Sequence, residues 1–521
     1  MKTLLAVLLG LALSLSAQAS QETQALYQQH CASCHNPERL GAMGPALLPE
    51  NLGRIKVKQI EAVIRQGRPA SQMPGFAALL NDEQIQALAE WILTPPPQPP
   101  KWGLQDILAS HLQPYPPGSL GDEPLFQADL QNLFIVVELG DHHVTLLDGD
   151  RFEPIHRFKS RFALHGGPKY SPDGRYVYFA SRDGWISKFD IYNLKTVAEV
   201  RAGINTRNLA VSADGRYVLV GNYLPHSLVL LDAATLKPIQ YEQVQDARGQ
   251  SSRVSAVYTA PNRQSFMVAL KDVAEVWELN YAAPNPLTYL GPMHGVSQLQ
   301  GQQATLHPLA IRRLAVNDYL DDFLFDQDYR LLIGSSRPLP GQSQHPGTLV
   351  LDLDSGQELA RLNLKGLPHL ASGTSWDYQG RKVLATPNLQ QASVSIIDMQ
   401  SWQEIKQIKT DGPGFFMRSH ENSRYAWVDV FFGEHKDAVH VIDKQSLEIV
   451  KTLRPAPGQT AAHVEFSKDG RYALLSIWEM DGALVVYDAN TLQEVKRLPM
   501  VKPSGKYNVY NKTHYKEGTS H

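Results

Sequence analysis

Three near-copies of one phrase constrain the fold of this 521-residue chain more than any other feature. They read Ser171-Pro172-Asp173-Gly174-Arg175-Tyr176-Val177-Tyr178, Ser212-Ala213-Asp214-Gly215-Arg216-Tyr217-Val218-Leu219 and Ser467-Lys468-Asp469-Gly470-Arg471-Tyr472-Ala473-Leu474. Asp-Gly marks a tight turn, and the alternating apolar residues after it mark a strand. Each unit then passes a second turn and ends in a strand that closes on aspartate, at Asp190, Asp232 and Asp488. Weaker copies near Phe134, Ser265, Tyr329, Lys382 and Tyr425 bring the units to eight, at a spacing of roughly 40 to 65 residues. A small sheet cannot bury both faces alone, so such units pack on one another around an axis. The expected architecture is an eight-bladed β-propeller over residues 115–521. Its longest insertion falls around Tyr281 to Arg313, and Tyr507-Asn508-Val509-Tyr510 is expected as the strand that closes the ring. Propellers also serve as plain docking platforms, so the repeat decides the fold and not the chemistry.

The chain opens on MKTLLAVLLGLALSLSAQAS, one lysine before an apolar run that ends in Ala17-Gln18-Ala19. This is the pattern of a cleaved secretory signal over residues 1–19, and it places the mature protein in the periplasm. No later stretch reaches the roughly 20 apolar residues of a spanning helix. With 49 basic and 52 acidic residues and no long basic run, the composition argues against nucleic acid as a partner.

Only two cysteines occur, in Cys31-Ala32-Ser33-Cys34-His35. C-x-x-C-H is the attachment signature of a c-type haem: two thiols add to the porphyrin vinyl groups, and the adjacent imidazole binds the iron. A helix from Gln21 to His30 leads into the motif, and the apolar spacing over Asp82 to Ile92 predicts an amphipathic helix that closes the domain. Between them lies Gln72-Met73-Pro74-Gly75-Phe76, where Met73 is a thioether on a stiff turn, suited to the sixth position on the iron. Met43, in Gly41-Ala42-Met43-Gly44-Pro45, is the competing sulfur, and Met73 as a filler of the core is the plain alternative. The fold class is therefore α plus all-β in two domains. A class I cytochrome c domain over 20–97 is joined by a proline-rich linker over 98–114 to the propeller.

A small c-type cytochrome followed by an eight-bladed propeller resembles the cytochrome cd1 family, along almost the whole mature chain. His165, in Leu164-His165-Gly166-Gly167-Pro168-Lys169-Tyr170-Ser171, stands where that family has the proximal ligand of haem d1. Arg182 in Ser181-Arg182-Asp183-Gly184 and Arg207 in Gly203-Ile204-Asn205-Thr206-Arg207 match positions where arginines meet the carboxylates of haem d1, as bidentate guanidinium groups do. Both are expected after turns, at equivalent heights of adjacent blades. The C-terminal Pro503-Ser504-Gly505-Lys506-Tyr507-Asn508-Val509-Tyr510-Asn511 resembles the family's closing signature.

Within the family, nitrite reductases carry two histidines over the distal face of haem d1. His369, in Leu367-Pro368-His369-Leu370-Ala371-Ser372-Gly373, matches one. The second belongs near residue 260, where Thr259-Ala260-Pro261-Asn262-Arg263-Gln264-Ser265-Phe266 has none. The phrases His165 to Arg175 and Asn205 to Ser212 are similar instead to the branch that desaturates dihydro-haem d1, turning a propionate into an acrylate. The resemblance implies a covalent haem c, and haem d1 or dihydro-haem d1 bound non-covalently as product or substrate. It further implies a periplasmic electron acceptor and, as recipient of the product, nitrite reductase or another haem d1 assembly protein. Nitrite reduction and non-catalytic carriage of haem d1 are the alternatives.

Desaturation removes two protons and two electrons. The electrons leave through iron and the c haem, and the protons need a side chain that titrates near neutrality. His369 is the expected base. His463, in Ala461-Ala462-His463-Val464-Glu465-Phe466, is either a second catalytic group or a buried structural histidine. Tyr507 either orients the propionate and relays a proton or is an ordinary edge-strand aromatic.

Overall fold

A computed structural model describes residues 20–42, 44–52, 55–67, 73–282, 309–337 and 347–514. The leader segment, Met43 and most of the insertion after Tyr281 lie outside the described residues. No helix among those described is long and apolar enough to cross a membrane.

The N-terminal unit is helical, with a helix over 20–30 followed by Ala32–His35, Pro49–Leu52, Val57–Gln66 and Asp82–Ile92. The last of these starts where the sequence can cap it. Asn81 accepts the Gln84 N–H at 2.9 Å, and the Gln84 side chain returns to the Asn81 N–H at 3.0 Å, so two orphan donors of the first turn are satisfied together. Its apolar stripe, Ile85, Leu88, Ala89 and Ile92, packs with Tyr27, Ile60 and Ile64. At the other end Arg39, itself buried, donates to the carbonyls of Trp91, Ile92 and Thr94. A cation on unpaired carbonyls at a helix C-terminus stabilises that end.

Eight four-stranded antiparallel sheets follow. Seven are built from consecutive strands, each beginning with its innermost: Lys169–Tyr170, Asn205–Val211, Val254–Ala260, Tyr319–Phe325, Thr374–Tyr378, Met417–Ser419 and Ala461–Phe466. The remaining sheet takes Leu133–Glu138, His143–Asp148 and Glu153–Lys159 from the start of the propeller and Pro503–Asn508 from its end. Phe134 faces Asn508, Ile135 faces Tyr507 and Val136 faces Lys506 in that seam, which joins the two ends of the propeller chain. The closing strand ends two residues earlier than expected: Val509–Thr513 is a helix. Asn508 switches the backbone by accepting the Asn511 N–H with its side chain, an N-cap that the apolar Val509-Tyr510 pair had concealed.

The repeated phrase is a hydrogen-bonded device. Ser467 Oγ donates to Asp469 at 2.7 Å and accepts the Tyr472 N–H at 3.0 Å, while Asp469 accepts the Arg471 N–H at 3.0 Å. Ser212, Asp214 and Tyr217 repeat the pattern at 2.6 and 2.9 Å, and Ser171, Asp173 and Tyr176 do the same. The glycine between needs positive φ, +74° at both Gly174 and Gly470. The strand-closing acids Asp190, Asp232 and Asp488 serve a different turn, the one that follows each of them, by accepting its backbone N–H groups. Asp148, Asp352, Asp398 and Asp443 repeat this in four further blades, and Asn280 stands in for it in the eighth.

The stretch expected as a plain linker holds a helix, Leu104–Ala109, with Ile107 buried in the propeller's apolar cluster. Innermost strands such as Ala461–Phe466 are buried throughout, whereas outermost ones such as Glu494–Met500 expose alternate residues.

Candidate functional site

The haem-attachment motif is presented at the short helix Ala32–His35, with Cys31 as its N-cap and Cys34 within it. His35 is buried, and its Nδ1 lies 2.8 Å from the Pro45 carbonyl oxygen, which fixes the tautomer and leaves Nε2 for a metal. Burial lowers the His35 pKa, with the Pro45 carbonyl opposing. Gly44 permits this placement, since a Cβ there would stand 2.6 Å from His35 Cε1. Burial, reinforced by neighbouring Cys34, pushes the Cys31 thiol up to about 11. Two thiols and one neutral imidazole with a single free nitrogen fit covalent haem c. Met73 lies on the loop that returns to the helix Val57–Gln66, where Phe76 N–H donates to Ile64 O at 2.9 Å. Its rival, Met43, is outside the described residues.

In the propeller, the residues picked out from the sequence lie at one end of the inner strands. His165 precedes Lys169–Tyr170, Arg207 is in Asn205–Val211, His369 precedes Thr374–Tyr378, His463 is in Ala461–Phe466 and Tyr507 is in Pro503–Asn508. His165 Nδ1 sits 2.7 Å from the Arg207 carbonyl oxygen, and the Arg207 guanidinium reaches His165 Nε2 at 3.2 Å. The imidazole is thus oriented for iron through Nε2, with Arg207 resting on the nitrogen an iron would take. Arg182 and Arg207 are neighbours, but they do not occupy the equivalent places expected from the sequence. Arg182 is in a hairpin turn between two strands of one blade, whereas Arg207 is on the innermost strand of the next; the Thr206 N–H joins them through the Arg182 carbonyl at 3.3 Å.

Ring contacts link the other three candidates. The His369 ring lies 4.3 Å from Phe415, whose carbonyl oxygen is 2.5 Å from His369 Nδ1. Phe416 packs on the His463 ring at 4.7 Å, and His463 meets Tyr507 edge-on at 5.1 Å. Tyr507 in turn closes on Gly167, where a Cβ would stand 2.9 Å from its ring, two residues from His165. A small cavity lies between the turn after His369 and the His463 strand, lined by Ala371, Ser372, Phe416, Arg418 and His463 among others. His463 is within its strand rather than ahead of it, at a bulge where its φ is +56°.

The electrostatics of this rim were not legible in the sequence. Arg418, Lys506 and Lys512 gather around Glu465, with Lys506 also near Asp429 and Lys169 near Arg418 and Lys512. Arg418 and Lys512 each lie 3.8 Å from Glu465, and Lys506, fully buried, donates to the carbonyls of Ala462 and His463 and to Ser476 Oγ. Burial pushes Lys169 down to about 8 and holds Lys506 and Lys512 well below the usual lysine range. Burial, with Lys506, Arg418 and Lys512 nearby, also keeps His463 well below the usual histidine range. Among the described residues its buried Nδ1 has no hydrogen-bond partner outside its own residue. Burial lowers His369 too, opposed by Asp322 at 3.8 Å, and holds the Tyr507 phenol above its usual range. Asp429, raised by burial to about 6, accepts the N–H groups of Phe415, Phe416 and His463. Four basic side chains near two carboxylates, with a buried imidazole among them, suit a bulky ligand that brings carboxylates of its own and so restores the charge on those groups.

Relatives share both halves of this layout. The family described as Cytochrome D1 heme domain matches residues 128–290 and 298–512, and Cytochrome C oxidase, cbb3-type, subunit III matches residues 18–92. The chain is 58% identical over 519 residues to a dihydro-heme d1 dehydrogenase of Pseudomonas aeruginosa, covering 99% of this chain and 100% of that one. A nitrite reductase of Stutzerimonas stutzeri is 25% identical over 574 residues, covering 97% and 96%. Among solved structures, the dihydro-heme d1 dehydrogenase NirN in complex with DHE superposes with a TM-score of 0.87 at 59% identity, covering 94% of this chain and 99% of that one.

Proposed function

The chain belongs to the cytochrome D1 heme domain family, and on that premise we propose that it is a dihydro-haem d1 dehydrogenase that oxidises a propionate of the bound tetrapyrrole to an acrylate. The observation that carries the choice within the family is His463, buried at a bulge of its strand beside Lys506, Arg418 and Lys512, where burial holds its pKa well below the usual histidine range. A reductase must deliver protons to nitrite, and an imidazole held unprotonated delivers none. A dehydrogenase must take protons away, and such an imidazole is ready to. The turn Pro261–Arg263, where a reductase's second histidine was expected, is instead tied down by Arg263 to Glu278 and Asp354.

The reaction balances as –CH2–CH2–COO⁻ going to –CH=CH–COO⁻ with release of two protons and two electrons. When bound, haem c and the tetrapyrrole iron supply the one-electron chemistry. The chain's own part is binding, orientation and proton transfer. His165 Nε2 would bind the tetrapyrrole iron, with the Arg207 guanidinium that now rests on it turning to a carboxylate of the ligand. Arg182 and Arg207 hold carboxylates near His165, while Arg418, Lys169 and Lys512 hold the reacting propionate beside Tyr507 and His463. A carboxylate among these cations raises the basicity of His463, so substrate binding primes the base. Tyr507, edge-on to His463, orients the propionate, and His369 covers the other side of the cavity. Cys31, Cys34, His35 and Met73 would hold haem c, and a periplasmic one-electron acceptor would draw electrons from it. The leader segment supports export to the periplasm, and nitrite reductase or another haem d1 assembly protein is the recipient of the product.

The test is the absorption spectrum of purified protein mixed with dihydro-haem d1 and a one-electron oxidant. Conversion to haem d1 is expected, with negligible nitric oxide formed from nitrite by the haem d1-loaded protein. Rapid nitric oxide production without conversion would assign the reductase reaction instead, and tight binding with neither reaction would make the protein a carrier.

A further inference from the structure

The propeller grips the loop that follows the c-haem histidine. Arg201 ends the strand Lys195–Arg201 and is 5% exposed. Its guanidinium donates to two carbonyls of the cytochrome unit, Leu40 and Gly41, the latter at 3.2 Å, while its Nε donates to Asp183 O at 2.9 Å in its own blade. The plane lies over the Trp102 ring at 4.7 Å. Trp102 Nε1–H donates to the Arg201 carbonyl at 2.9 Å, and the Arg201 N–H donates to Ser110 Oγ at 2.9 Å. Around this centre Ala46, Leu48 and Ile204 form a common buried cluster. Asn51 donates to Ile204 O at 3.3 Å and Asn205 to Glu50 O at 3.4 Å, so bonds cross the boundary in both directions.

Both ends of this contact lead to metal-binding positions. On the cytochrome side the Gly41 N–H donates to His35 O at 2.9 Å, and Pro45 O meets His35 Nδ1 at 2.8 Å in the same loop. On the propeller side the chain runs from Arg201 to Arg207, which touches His165. A buried guanidinium carries a considerable desolvation cost, so apolar side chains would make an equally stable interface. What a planar fork adds is fixed geometry, because its N–H groups reach carbonyls of two bodies at once.

We propose that Arg201 is a positioning residue that locks the cytochrome unit onto the propeller, fixing the loop of His35 against the segment that holds His165. Electrons released two at a time from the propionate then cross singly within one rigid assembly, each reducing a ferric c haem that an external one-electron acceptor reoxidises. The electron-transfer part of this proposal rests on the dehydrogenase reading; the lock itself does not.

The experiment uses the full chain with haem c attached, as wild type, Arg201→Ala, Arg201→Lys and the double variant Asn51→Ala/Asn205→Ala. Trypsin reports the lock without turnover, because Lys101 lies in the exposed connection just before Trp102. Cleavage there should be about tenfold faster in Arg201→Ala, intermediate in Arg201→Lys and modestly faster in the double variant. On anaerobic addition of dihydro-haem d1, reduction of haem c should slow by about tenfold or more in Arg201→Ala, with tetrapyrrole affinity and reduction by ascorbate unchanged. Unchanged cleavage in both Arg201→Ala and the double variant would overturn the lock, and faster cleavage with an unchanged rate of haem c reduction would overturn its part in electron transfer. If wild type itself fails to reduce haem c, the dehydrogenase reading falls, while the cleavage rates still decide whether Arg201 locks the two units. If Arg201→Ala fails to fold, the double variant, whose residues lie outside the guanidinium contacts, carries the same two readouts.

Discussion

Asp429 and His463 are joined through the backbone: Asp429 Oδ2 accepts the His463 N–H at 3.1 Å, while its Oδ1 takes those of Phe415 and Phe416 at 2.8 and 3.0 Å. Phe415 O in turn meets His369 Nδ1. One buried carboxylate therefore sets the positions of both histidines that flank the cavity. Asp429→Ala strands three buried N–H groups and should cost about 3 kcal/mol of stability. Asp429→Asn keeps one acceptor oxygen and should fold better while losing activity. Equal melting temperatures for wild type and Asp429→Ala in calorimetry would remove Asp429 from this role.

Replacing the base should spare binding. His463→Ala is expected to retain tetrapyrrole affinity and lose product formation by about 100-fold or more. Because burial and nearby cations depress its pKa in the free enzyme, the base form persists below the usual histidine range. The acid limb of kcat/KM should therefore lie below about 6.5. An acid limb above that value would assign the titration to another group.

The c-haem site gives two sharp substitutions. Gly44→Ala puts a methyl against the His35 ring, and the haem should stay covalently attached while its axial ligation spectrum changes. Met73→Ala should lower the reduction potential, since the thioether favours ferrous iron. An unperturbed potential and spectrum in the Met73 variant would pass the ligand role to Met43 or another residue.

His165→Ala should weaken tetrapyrrole binding or change the iron spin state, read in the visible spectrum, with the c-haem bands unaltered. Identical affinity and spectra in variant and wild type would show that another residue binds this iron.

Acid should unfold the propeller through its blade turns. Asp352 and Asp398 are held down to about 2, the first mainly by the Ser355 backbone N–H and the second mainly by Arg381. Asp443 and Asp488 are lowered as well. A carboxylate with a depressed folded pKa stabilises the fold above its unfolded value and loses that contribution as pH falls. Circular dichroism should thus show unfolding between about pH 4 and 2, and Asp398→Asn should narrow the loss in that window.

What the sequence disclosed and what it concealed differ by the range of the interactions involved. The Ser-x-Asp-Gly turns and the strand-closing aspartates bond within five residues, so the blade count was legible from them. The haem motif is equally local. Arg418, Lys169 and Lys512 gave no such signal, because each comes from a different element and only ring closure gathers them into one cluster. The Asn508 cap hid behind a β-like Val-Tyr pair, and the bulge at His463 has no sequence mark at all. The His369 loop was visible, but its dependence on Asp429, sixty residues on in another blade, was not.

The seam between Leu133–Glu138 and Pro503–Asn508 also sets an order of events. Lys506 and Tyr507 arrive on the last strand, so the rim is incomplete until that strand has zipped onto the first blade. A chain whose last strand has not yet paired has no finished berth for a tetrapyrrole and cannot capture one prematurely. Capture becomes a certificate of assembly: only a closed ring carries the phenol of Tyr507 and the buried amine of Lys506 that complete the pocket.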